Sequence, residues 1–229
     1  MGIAAIRSLL FWCALGATAP AWCMDIVQVL ERSQTTRMQA YPSAADPVRA
    51  ATVRASFQRL ANVLDLPQVE LRVVGGGLGA EAMLGHVIVA SESLADLPEG
   101  ERLLVLSHEL GHIALGHWDE MCALYREHIP GEVRPETTDP GAQLLGAAAH
   151  EQAYRHEFAA DAYGYRVIRR LGFRIDTVYG LMLRAPSPQD TATHPGTRRR
   201  VAQLRELDLR MQHTSLQAAG PGTELAPGE

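Results

Sequence analysis

The chain has 229 residues, 47% of them hydrophobic and 21% charged, with 21 Lys and Arg against 26 Asp and Glu for a formal charge of −5. This is ordinary globular composition in a length that suits one compact unit with one sizeable core. A net negative charge offers no general basic surface, so no nucleic-acid partner is expected.

The N-terminus reads as an export signal. Arg7 precedes the apolar run Ser8 to Leu15, and the small-residue stretch Ala17 to Ala21 follows. The run is shorter than the ~20 residues that cross a bilayer. Residues 1–21 are therefore expected to be a signal peptide, cleaved after Ala21, and the mature protein to be periplasmic or secreted, with envelope proteins as possible associates. Trp22 before Cys23 does not fit a lipoprotein cleavage site. Cys23 and Cys122 would then lie where disulfides persist, either paired or as two thiols.

Asp25 to Gln39 and Asp46 to Leu66 carry apolar residues at helical spacing on either side of the break Tyr41-Pro42-Ser43, which predicts two helices. Val69 to Val74 and His86 to Ala90 are rich in β-branched residues and predict strands of a small sheet. Between them, Gly75-Gly76-Gly77-Leu78-Gly79 is followed by more strand and not by a helix, so it reads as a hairpin or rim and not as a phosphate-binding turn. Glu101 to about Tyr125 predicts one long helix, Ile129 to Gly141 a loop, and Ala142 to Leu171 a second long helix closed by Gly172. A shorter helix over Asp176 to Arg184, a loop over Ala185 to Pro195 and a last helix from Thr197 to about Met211 complete the reading. The domain is placed at 22–212, and 213–229 is expected to be a disordered tail. The fold class is α+β, mostly helical, with no transmembrane span in the mature chain.

The chemistry concentrates in His108-Glu109-Leu110-Gly111-His112 on the first long helix. Residues four apart share a helix face, so both imidazoles can address one metal ion while Glu109 stands beside it as a general base. Leu103, Leu104, Leu106 and Leu110 can bury this helix, and Gly111 allows close approach to a neighbour. A catalytic zinc takes three protein ligands and leaves a position for water. An extended histidine motif would place its third ligand where Trp118 stands, one residue past His117, so Glu157 on the second long helix is the better candidate. Asp161, one turn along, can receive an imidazole N–H and fix its tautomer.

His108-Glu109-Leu110-Gly111-His112, then His117, then Glu157-Phe158-Ala159-Ala160-Asp161, then His194-Pro195-Gly196-Thr197 with Arg200 resemble the zinc peptidases typified by HtpX and the CAAX prenyl proteases. The resemblance spans about Ala82 to Leu204. It implies a zincin-like metalloprotease domain with one Zn2+ held by His108, His112 and Glu157. Asp161 would support the ligands and Arg200 would partner Asp161. It also implies that His194 lies near the metal, either stabilising an oxyanion or closing the site as a fourth ligand. The stretch through Met83, Leu84, Gly85, His86 and Val87 corresponds to the edge strand that holds an extended peptide in this family. With no long apolar run after residue 25, the chain is similar to compact exported members rather than to multi-pass ones. The expected function is a zinc-dependent endopeptidase acting on peptides or unfolded proteins. The alternative is a noncatalytic or self-inhibited zinc-stabilised, chaperone-like binding protein.

Overall fold

The computed structural model describes residues 24–66 and 68–218. The expected signal peptide, Cys23 and residues 219–229 lie outside the described residues. Cys122 is buried.

Helix α1 (Ile26–Ala40) begins at a reciprocal cap, in which the Asp25 carboxylate accepts from the Gln28 backbone N at 2.9 Å and the Gln28 side chain accepts from the Asp25 N at 3.1 Å. Helix α2 (Pro47–Ala61) starts at Asp46, which accepts from the backbone of Val48 and Arg49, with Pro47 already set to a helical φ. It stops at Ala61, short of the expected Leu66, where Pro67 disfavours a helical residue before it.

Strands β1 (Glu70–Val74), β2 (Ala80–Met83) and β3 (Val87–Ser91) form one sheet in the order β1-β3-β2. β1 runs parallel to β3, with Leu71 opposite Ile88, and β2 runs antiparallel to it, with Ala82 opposite Ile88. All five residues of β3 are buried. This corrects the expectation that the stretch Met83 to Val87 is an exposed edge. Leu84 and Gly85 take positive φ values of 53° and 71° and make the turn of a hairpin, Val87 enters the central strand, and the edge strand is β2.

Helix α3 (Glu99–Ala114) and helix α4 (His117–His128) replace the single helix read over Glu101 to Tyr125. Gly116, at φ 70°, breaks the path in the left-handed region that only glycine enters without strain. A short helix α5 (Pro135–Thr138) and a 3-10 turn over Asp139–Gly141 lie within the segment expected to be loop. Helix α6 (Ala142–Arg170) and helix α7 (Ile175–Arg184) follow, separated at Gly172. Helix α8 (Thr197–Ala218) continues past Met211, so residues 213–218 are helical and not tail; the first strong breaker after Met211 is Gly220. Among the described residues no helix is long and apolar enough to cross a membrane.

The main core gathers Leu103, Leu106 and Leu110 of α3, Tyr165 and Ile168 of α6, Val178 of α7, Leu204 of α8 and Ile88 of β3. At its centre α3 packs along α6 with almost no side chain between their backbones. A β-carbon on Gly164 would stand 3.0 Å from the His108 backbone N, and one on Gly111 would stand 3.0 Å from the Ala160 Cα.

Gly146, also in α6, has nothing within 4 Å of a would-be β-carbon. The two glycines should therefore answer oppositely to alanine. Gly146→Ala gains the ~0.5–1 kcal/mol that separates alanine from glycine in a helix. Gly164→Ala meets backbone that cannot yield and loses a net amount set by an overpacking cost of about 1–3 kcal/mol. Chemical denaturation of both variants checks the pair.

Candidate metal centre

The α3/α6 approach determines which groups meet. His108 and His112 stand one turn apart on α3, and Glu157 and Asp161 stand one turn apart on α6. His108 Nε2 and His112 Nε2 are 3.1 Å apart, His108 Nε2 is 3.5 Å from Glu157 Oε2, and His112 Nε2 is 3.4 Å from Glu157 Oε1. These three residues form the group suited to hold a metal ion among the described residues.

The donor set fits such an ion on two counts. Ligands about 2.0–2.1 Å from a tetrahedral zinc stand roughly 3.4 Å from each other, close to the separations found here. Glu157 is buried, and its Oε2 has no hydrogen-bond partner. An orphaned carboxylate oxygen in the interior costs several kcal/mol unless a cation answers it.

Supporting groups reach His108 from the far side. Its Nδ1 donates to Asp161 Oδ1 at 2.9 Å, and Asp161 in turn accepts from Arg200 Nε at 2.7 Å and Arg200 Nη2 at 2.5 Å. This two-pronged contact ties α8 to α6 and turns His108 Nε2 toward the cluster.

Burial penalises the charges of this group, and the neighbours outweigh it. Desolvation works against the His108 imidazolium, yet the Asp161 and Glu157 carboxylates push its pKa up to about 10. Desolvation likewise opposes the Glu157 and Asp161 anions. The His108 and His112 rings nonetheless hold Glu157 well below the ordinary carboxylate range, and Arg200 with His108 does the same for Asp161. Arg200 is raised despite its own burial because Asp161 favours its charge. Glu109 differs from both: burial raises its pKa, against the pull of His108 and His112. Its Oε2 accepts from the Ala82 backbone N of β2 at 2.7 Å.

His194 stands in the loop before α8, its side chain 55% exposed and its Nε2 3.5 Å from Glu157 Oε1. Its Nδ1 lies 2.8 Å from Thr193 Oγ1. A cleft of about 410 Å³ opens on the group, bounded by Ala80, Glu81 and Ala82 of β2 and by Leu30, Ile113, Trp118, Met121 and Tyr125. A second space of about 250 Å³ shares His108, Glu109, Glu157 and His194 with the cleft and is lined further by Leu104, Leu181 and Met182.

Of the five residues expected to bind substrate, Gly85 lines the cleft. Met83 and Val87 are buried in a separate apolar cluster, Leu84 packs against that cluster, and His86 is exposed with its Nδ1 2.7 Å from Leu84 O. The hairpin explains the displacement, because the edge facing the cleft is one strand earlier.

His156 matches no motif in the sequence. It is buried, it stacks on His117 with ring centroids 4.0 Å apart, and its Nε2 donates to Glu120 Oε2 at 2.8 Å. Neither partner had a sequence signal, since Glu120 and His156 belong to different helices. Desolvation, with His156 and His112 adding to it, presses the His117 pKa down to about 4.

No protein-family model matches the chain, and no curated protein matches it. Among solved structures it is similar to the crystal structure of S. mikatae Ste24p, with 16% identity and a TM-score of 0.45, over 77% of this chain and 55% of that one. The chain thus spans about half the length of that protein.

Metal uptake should displace the proton that His108 holds up to about pH 10 in the metal-free protein. Apparent affinity should then fall as pH falls, by roughly tenfold per unit through the neutral range, as read by chelator competition between pH 6 and 8. At fixed pH, Arg200→Leu should weaken binding about 10–100-fold, the usual loss when a supporting partner is removed. Glu157→Ala should weaken it further, and equal retention in the two variants would place the third ligand elsewhere.

Proposed function

We propose that this chain is a zinc-dependent endopeptidase that cleaves extended or unfolded polypeptide in the cell envelope after export. The observation that carries the reading is the position of Glu109. A buried carboxylate with raised proton affinity stands beside a three-donor cluster that opens to a cleft. A purely structural site is closed by four ligands, whereas three ligands with an adjacent base suit hydrolysis.

Zinc, when held by His108, His112 and Glu157, supplies Lewis acidity that polarises a carbonyl and acidifies water. Glu109 accepts a proton from the attacking water and returns it to the leaving amine, a task suited to a carboxyl whose pKa lies above its ordinary value. His194, at the mouth, supplies an N–H toward the carbonyl oxygen as negative charge grows there. Arg200 and Asp161 keep His108 in one tautomer and one orientation.

The substrate class follows from the walls. The outer edge of β2 pairs with no strand among the described residues, and an exposed strand edge can bind an extended peptide through backbone hydrogen bonds. Apolar side chains line the space around the group, with Trp118, Met121 and Tyr125 in the cleft and Leu181 and Met182 in the second space. Apolar walls favour sequences that folded proteins keep inside.

The test is incubation of the zinc-loaded protein with unfolded envelope proteins, with products read by mass spectrometry. Glu109→Gln should keep the metal and lose about 10²–10⁴ in turnover. Equal proteolysis by that variant would remove Glu109 from its role, and a loaded wild type inert toward all substrates would leave a noncatalytic binding protein.

A further inference from the structure

His112 presents Nε2 to the ligand cluster, 3.4 Å from Glu157 Oε1, so any proton on a neutral His112 ring that serves as a ligand must sit on Nδ1. That nitrogen lies 2.9 Å from His117 Nδ1. Two ring nitrogens at this separation share one proton. With the His112 proton on Nδ1, His117 Nδ1 must be bare and must accept, which leaves the His117 proton on Nε2. The opposite arrangement, with His117 Nδ1–H donating, would force the His112 proton onto Nε2 and remove it as a ligand.

The surroundings hold the His117 ring for this task. His117 is buried, and its ring lies flat against His156, with 5° between the planes. His156 is fixed in turn by Glu120 Oε2 at 2.8 Å. Glu120 stands three residues after His117 on α4, so α4 supplies both the acceptor and the carboxylate that grips the stacked ring from α6. The arrangement is a clamp: α4 reaches across to α6, and the stacked pair cannot swing away from His112 without breaking the Glu120 contact.

We propose that His117 is a positioning residue for the metal centre, its Nδ1 accepting the His112 Nδ1–H and fixing His112 as an Nε2 ligand, with His156 and Glu120 holding the His117 ring in place. This rests on the reading of His112 as a metal ligand and is independent of whether the centre cleaves peptides. It also makes the two histidine ligands unequal. His108 is backed by an ionised carboxylate and an arginine, whereas His112 is backed by a neutral imidazole that withdraws its N–H less strongly. His112 is then the weaker electron donor of the two.

The experiment reads tautomers and metal binding, not turnover. In the zinc-loaded wild type, long-range 1H–15N correlation spectra of the histidine rings should show His112 protonated at Nδ1 and His117 protonated at Nε2. A His117 ring protonated at Nδ1 would overturn the assignment with no variant needed. His117→Phe fills the space without an acceptor and should weaken zinc binding about 10–100-fold in chelator competition. It should also shift the visible absorption of the Co2+-substituted protein. His117→Asn places an amide oxygen near the lost Nδ1 and should recover most of both. Wild-type affinity in His117→Phe, or equal weakness in the Phe and Asn variants, would reduce His117 to packing. A wild type that binds zinc and shows these tautomers but cleaves nothing would sink the peptidase reading and leave this one standing.

Discussion

The close contact of α3 with α6 is the constraint on which the rest of the molecule depends. Gly111 meets the backbone of Ala160, and Gly164 meets the backbone of His108. An ordinary helix pair keeps its axes 8–10 Å apart with side chains interleaved. At this crossing side chains are missing on both surfaces, and that absence lets one carboxylate of α6 reach two imidazoles of α3 at once. The apolar core, with Leu103, Leu106, Leu110, Tyr165 and Ile168, holds the two backbones together around the crossing.

The buried charges there are met chiefly by one another. Arg200 saturates Asp161, Asp161 orients His108, and Glu157 keeps an oxygen that no protein group satisfies. With Glu109 ionised and His108 protonated, the three carboxylates outnumber the two cations by one, and loss of the His108 proton on metal uptake brings the imbalance to two, the charge of one divalent cation. The protein stores this imbalance by burying it, and the cost is of the size that metal binding returns. The same pairing explains where α8 begins in space: its Arg200 is committed to α6, and Leu204 and Leu207 seal the helix onto the core.

Much of this was legible in the chain. The i, i+4 histidines with Glu109 between them, and Glu157 with Asp161 one turn on, report helical geometry directly, because periodicity and ligand spacing are the same arithmetic. The order of helices and the role of Gly111 at a close approach were readable for the same reason. What escaped depended on contacts between distant segments. Strand β2, Ala80-Glu81-Ala82-Met83, has alternation too short to separate from the glycine run before it. Leu84 gives no hint of its positive φ. The break at Gly116 sits in a sequence whose apolar spacing passes through it undisturbed, so Glu101 to Tyr125 read as one helix. His156 and Glu120 find each other only because α4 turns back across α6, and no local pattern carries that information.

That turn at Gly116 has a consequence for how such a molecule can change. A single residue in a left-handed conformation separates the helix that holds the ligands from the helix that carries Trp118, Met121 and Tyr125 on the cleft wall. Inserting or exchanging residues beyond the break re-angles the wall without rotating His108 or His112 out of register. Lineages can therefore retune what the cleft admits while inheriting the centre unchanged. His117 and Glu120 set the limit to that freedom, since from α4 they reach His112 and His156.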